Sequence, residues 1–220
     1  MIFSTFKKVY SVQVEREEVF NSLSHGFTAL GSVIGWIVLI VMGLISDKPW
    51  SLICAFIYGF CLVFLYGVSA LYHGIRSLRL KEKMRIIDHG SIYLLIAGTY
   101  TPLVILTIGG TFGWTLFFIQ WGLTLIGITL KIFYTGKYET LSLSMYLVMG
   151  WMIIFKVKFL YLTLPPTGFW LLVTGGIAYT AGIIFYLFDD KIHLAHFVWH
   201  LFVMTGSVLH YLLIIQYIIM

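Results

Sequence analysis

His193-Leu194-Ala195-His196-Phe197-Val198-Trp199-His200 opens the last long apolar run of the chain, which continues to about Ile219. An ionisable group inside a membrane segment is expensive to desolvate, so it marks a functional site by default. On a helix, residues four apart share one face and stand about 6 Å apart along the axis, which is how His196 and His200 would be placed. Two imidazoles so arranged can grip one metal ion, but a pair alone cannot fill its shell. What the pair does depends on whether this run spans a membrane and on what other runs bring to the same depth.

The composition is that of a membrane protein. Of 220 residues, 60% are hydrophobic and 10% charged, with a mean hydropathy of +0.96. A soluble domain carries roughly 25% charged residues. Working back from the final run, six others precede it, at about Leu23 to Ile45, Ser51 to Ile75, Ile86 to Ile108, Gly113 to Phe133, Leu141 to Leu162 and Thr167 to Phe188. Each is near the ~20 residues that cross a bilayer. Turn-forming or charged residues separate several of them: Ser46-Asp47-Lys48-Pro49, Gly109-Gly110, Pro165-Pro166 and Asp189-Asp190-Lys191. The expected fold is therefore all-α, a seven-transmembrane helix bundle integral to the membrane. The connections are short, so residues 1–220 read as one membrane domain, with residues 1–22 a short polar N-terminal segment. That segment is mixed in charge and does not read as a secretory signal peptide. Cys54 and Cys61 fall in one predicted helix about two turns apart, too far to bridge.

Orientation follows from the basic residues, which concentrate on the cytoplasmic side of membrane proteins. With a cytoplasmic N-terminus, the inner segments hold eleven: Lys7, Lys8, Arg16, Arg76, Arg79, Lys81, Lys83, Arg85, Lys131, Lys137 and Lys191. The outer side holds three, Lys48, Lys156 and Lys158. The run from Arg76 to Arg85 is decisive by itself. This anchoring role accounts for the net charge of +5 without any nucleic-acid partner. Lys156 and Lys158 fit least well and are expected to snorkel to the interface.

With that topology, polar residues can be placed by depth. His73 lies at the inner end of the second run, with Ser69 one turn earlier on the same face. Asp88 begins the third run, and His196 and His200 occupy the first turns of the seventh. Asn21 and His25, at the start of the first, share the level. Three helices thus deliver His73, Asp88, and His196 with His200 to one layer near the inner leaflet. For His25, His89 and His193 the ordinary reading of a lone histidine at a helix end applies, that of an interfacial residue. His210, ten residues past His200, is about 15 Å deeper and cannot share their ion. It is expected at most to hydrogen-bond a neighbouring helix.

Three neutral imidazoles suit Zn²⁺, which prefers nitrogen and sulfur donors in a tetrahedron. Three protein ligands leave one position open for a water, which zinc can acidify into the neutral range. Asp88 could take that water's proton, and Ser69 could hydrogen-bond a ligand or a developing oxyanion. The competing reading is a zinc that only clamps the second helix to the seventh. Structural sites are usually closed by four protein ligands, so direct ligation by Asp88 would favour the clamp. Other features are weaker. Gly31-x-x-x-Gly35 is a common packing spacing, and Pro102 should kink the third helix. The chain contains no Gly-x-Ser-x-Gly, P-loop or His-Glu-x-x-His.

Taken together, Glu17-Glu18-x-x-Asn21-x-x-x-His25, Ser69-x-x-x-His73, Asp88-His89-x-x-Ile92-Tyr93, Ala97-Gly98-Thr99-Tyr100-Thr101-Pro102, Met149-Gly150-Trp151 and His196-x-x-x-His200-x9-His210 resemble the hemolysin III family. That family is the bacterial branch of the progestin and adiponectin receptor superfamily, and the resemblance covers nearly the whole chain. It implies seven transmembrane helices, a cytoplasmic N-terminus and a zinc site near the cytoplasmic face. Carried over residue by residue, it implies His73, His196 and His200 as zinc ligands, with Ser69 and Asp88 as the accompanying polar pair. The receptor relatives are associated with ceramide hydrolysis, and alkaline ceramidases have a similar set. The bacterial members take their name from cytolytic, pore-forming activity.

Three functions are therefore in view. The first is a zinc-dependent hydrolase of membrane-lipid amide or ester bonds, with Asp88 as base and Ser69 assisting the oxyanion. The second is a pore-forming cytolysin, which would call for water-lining, amphipathic segments and a transferable protein. The third is a sensor of membrane-lipid state; short outer loops argue against a protein ligand. The sequence favours the enzyme, resident in the bacterial inner membrane with a membrane lipid as partner. It fixes no oligomeric state.

Overall fold

A computed structural model of the chain describes the backbone of residues 2–189 and 191–220 and the side chains of residues 16–189 and 191–220. The side chains of Lys7 and Lys8, and residue Asp190, lie outside it. The described residues form seven helices long and apolar enough to cross a membrane: Arg16–Ile45, Ser51–Gly74, Leu78–Ile108, Gly110–Tyr134, Glu139–Thr163, Pro166–Leu187 and Ala195–Ile218. They are called the first to seventh helices here. All seven apolar runs are helical, as expected.

Two helices begin well before their apolar runs. The first extends back to Ile2, and the third starts at Leu78 rather than near Ile86. The early start of the third helix, Leu-Arg-Leu-Lys-Glu-Lys-Met-Arg at residues 78–85, is made of good helix formers whether or not they are apolar. Hydropathy ends at the membrane surface, whereas helix propensity does not. The loop expected between the second and third helices shrinks to Ile75, Arg76 and Ser77. Asp88 consequently lies ten residues, about 15 Å, into its helix instead of at its first turn.

The third and fifth helices contain irregular turns. Pro102 has no N–H to donate and crowds the preceding turn, and the segment after it, Leu103–Ile108, is π-helical. The fifth helix passes through a 3₁₀ segment, Met152–Lys156. In a membrane the backbone groups freed by such a turn must find partners within the protein. Tyr100 supplies two: its hydroxyl donates to the Gly150 carbonyl at 2.7 Å and accepts from the Ile153 N–H at 2.9 Å. Gln120 Nε2 donates to the Met149 carbonyl at 2.8 Å.

The seventh helix closes the bundle by returning to the first and second. Tyr211 Oη donates to the Gly35 carbonyl at 3.0 Å, and Tyr66 Oη donates to Ser207 Oγ at 2.7 Å. Of the Gly31/Gly35 pair, only Gly35 meets a neighbour, the ring of Tyr211. The far end of the seventh helix is tied to the first loop, where Ile218 accepts from Lys48 Nζ at 2.9 Å and Ile219 from Ser46 Oγ at 2.7 Å. The buried core between these helices includes Leu39, Tyr58, Leu62, Leu65, Leu213 and Ile218. Against the sixth helix the seventh is held close by Gly182, where a Cβ would lie 2.8 Å from Phe202 Cβ. That contact sets the seventh helix beside the sixth two residues past His200.

Candidate metal centre

His73 ends the second helix, which stops at Gly74. His196 and His200 occupy the first turns of the seventh, whose start is set by Leu194 in the left-handed region at φ 63°. His193 therefore stays outside the helix. One ring nitrogen from each of His73, His196 and His200 lies within 4.8 Å of the others. These are the three histidines expected to meet, drawn from two helices separated by more than a hundred residues.

The ring orientations have identifiable causes. His73 Nδ1 lies 3.0 Å from Glu18 Oε2, and His196 Nδ1 lies 3.1 Å from Asp189 Oδ2. A carboxylate only accepts, so each Nδ1 carries the hydrogen and each Nε2 is left with a bare lone pair. Histidines that bind metals typically donate their other ring N–H to a carboxylate, which fixes tautomer and orientation and raises basicity. Lys81 pairs with the same Glu18 oxygen and holds that carboxylate in place. His73 Nε2 and His200 Nδ1 are buried without a hydrogen-bond partner among the described residues. Burying such atoms without a partner is costly. The donor set and these unpartnered nitrogens fit a metal ion held by the three imidazoles.

Ser69 and Asp88 do not join that group of nitrogen atoms; they line a cavity that adjoins it. The cavity, about 150 Å³, is bounded at one end by His25, Ser69, Asp88 and His200. It runs past apolar Leu65, Ile92, Leu95, Leu147 and Val203 toward His210. Ser69 is buried, at 3% exposure. The Asp88 carboxylate is half-buried and has no ion-pair partner among the described residues.

The remaining histidines divide. His193 is half exposed and 3.9 Å from Glu17, as an interfacial residue would be. His89 is half-buried, with Nδ1 3.6 Å from Glu139 Oε2. His210 Nε2 donates to the Leu172 carbonyl on the sixth helix at 3.1 Å, the inter-helix bond expected of it. His25 departs from the interfacial reading. It is 3% exposed and stacks on His200 with ring centroids 3.7 Å apart and planes at 19°. Sequence reasoning missed the roles of His25, Glu18 and Asp189 around the triad. The signal available was that Asn21 and His25 share a level with the histidine layer.

The family model described as Haemolysin-III related matches residues 13–211. The chain belongs to that family. As a haemolysin III-related protein with seven apolar helices, it is an integral multi-pass membrane protein. It is 38% identical to Hemolysin-3 of Bacillus cereus, over 98% of both chains. It is 41% identical to the Hemolysin-3 homolog of Bacillus subtilis (strain 168), over 92% of this chain and 94% of that one. It is also similar to the human monocyte to macrophage differentiation factor, at 31% identity over 92% of this chain and 84% of that one. The family match takes in every residue named around the triad, from Glu18 to His200.

Proposed function

We propose that this haemolysin III-related protein is a zinc-dependent hydrolase of an amide or ester bond in a membrane lipid. The observation that carries the reading is the three-imidazole group: two of its members are tied to carboxylates, and the third, His200, lines one mainly apolar cavity together with Ser69 and Asp88. When bound, zinc would supply Lewis acidity and a water acidified into the neutral range. Asp88 would accept a proton from the attacking water and pass it to the leaving amine or alkoxide as the acyl bond breaks. Ser69 Oγ would donate a hydrogen bond to the carbonyl oxygen as charge builds on it. The apolar lining would hold the acyl chain. The proposed orientation puts the N-terminus and the triad on the cytoplasmic side of the bacterial inner membrane, on the strength of the eleven basic residues assigned to that side.

Purified protein should carry about one zinc per chain and release fatty acid from a ceramide-like or ester lipid. Elemental analysis of wild type and of a His73/His196/His200 triple alanine variant tests this. Equal zinc in the two proteins would sink the site. Absence of release across a broad lipid panel would sink the hydrolase.

The alternative, a cytolytic pore, is favoured by the name hemolysin carried by two relatives. A conducting path would need a continuous polar lining. The cavity is lined mainly by Leu, Ile, Val and aromatic side chains, which supports the enzyme over the pore.

A further inference from the structure

The three imidazoles are not supported alike. Glu18 orients His73, and Asp189 orients His196. His200 has no such partner: neither of its ring nitrogens makes a hydrogen bond or ion pair among the described residues. His200 is nevertheless the most buried of the three, at 1% exposure. Its ring must be set by something other than a hydrogen bond.

The contact that meets its face is His25. The two rings stack at 3.7 Å between centroids and 19° between planes. The other rings around His200 meet it obliquely or edge-on, namely His73 at 73°, His196 at 66° and Trp199 at 48°. An edge contact leaves a ring free to rotate about its Cβ–Cγ bond over a wide arc, whereas a face contact over the full ring does not. His25 also packs against Tyr66, with ring planes at 88° and centroids 5.0 Å apart. Tyr66 is fully buried and bonded to Ser207. Contacts therefore run from Ser207 through Tyr66 to His25, and from there to the face of His200.

Resting on the proposed metal site, we infer that His25 is a positioning residue for His200, supplying by ring stacking the orientation that carboxylates supply to the other two. The role also suits the electronics. An imidazole that donates to a cation becomes electron-poor, and the face of a neutral aromatic ring attracts such a group. Both nitrogens of His25 lack hydrogen-bond partners among the described residues, so no hydrogen bond sets its ring.

The test compares His25→Phe, His25→Leu and His25→Ala. Phe keeps a ring face without nitrogens, Leu fills the space without a ring, and Ala does neither. Zinc affinity is measured by chelator competition on purified full-length protein, together with the visible absorption of the Co²⁺-substituted forms, which reports ligand geometry, and the melting temperature of each metal-free form. His25→Phe should bind zinc within a few-fold of wild type and keep the Co²⁺ spectrum. His25→Leu and His25→Ala should lose about 10–100-fold in affinity, as loss of an orienting partner does. The Leu variant should do so while melting close to His25→Phe. If His25→Leu binds like wild type, His25 only fills space and the inference is overturned. If His25→Phe binds as poorly as His25→Leu, the nitrogens matter rather than the ring, and it is overturned as well. A wild-type protein that binds neither ion would remove the metal site itself, and the inference with it; that result is distinct from the other two.

Discussion

Glu18 and Asp189 are the residues that make the histidine group more than a coincidence of packing. Each accepts from the Nδ1 of one imidazole and so presents Nε2 toward the cluster. On the proposed reading, Glu18→Ala should weaken zinc binding about 10–100-fold, the usual cost of losing such a partner. The exposed Glu82→Ala, on the polar start of the third helix, should leave it unchanged. Chelator competition would measure both, and equal affinities in the two variants would deny Glu18 the role. His196 and His200 were legible in the sequence because a spacing of four has one meaning on a helix, and His73 because its depth agreed with theirs. Glu18 and Asp189 were not. A carboxylate at the polar end of a membrane segment reads as a solvated charge, and only the packing of separate helices shows which histidine it meets. His25 escaped for the same reason, since stacking across two helices leaves no spacing to read.

At the scale of the helices, hydropathy located all seven spans but misplaced two of their beginnings. The apolar run marks where lipid starts, and the third helix, built there from Leu, Lys, Glu, Met and Arg, begins before it. The 3₁₀ turn of the fifth helix, Met152–Lys156, was also hidden, because it depends on Tyr100 and Gln120 from other helices to satisfy its backbone. The turn gives Lys156 a place: its ammonium sits 4.4 Å above the Phe112 ring, a cation–π contact that eases a charge near the interface. The direction in which the helices cross the membrane rests on the basic residues. With Cys54 and Cys61 replaced, a cysteine introduced at Leu80 should resist an impermeant thiol reagent in intact cells and react after permeabilisation. Labelling before permeabilisation would invert the proposed orientation.

For the whole molecule, the arrangement brings a group of three imidazoles and a mainly apolar cavity together. The first, second and seventh helices carry the imidazoles and their stacked partner, while Asp88 comes from the third. The cavity then runs from that layer toward His210 between apolar walls. A metal that merely stapled the second helix to the seventh would have no use for a carboxylate without an ion-pair partner among the described residues and a buried serine, both lining such a cavity. Asp88→Asn separates the two roles. Asparagine keeps the size and one acceptor but cannot take a proton, and Asp88 lies outside the group of imidazole donors. The decisive measurement is fatty-acid release from a ceramide-like lipid by zinc-replete Asp88→Asn relative to wild type. The proposed mechanism predicts retained zinc and a loss of about 10²-fold or more, as for removal of a general base. Unchanged release by the zinc-replete variant would contradict it.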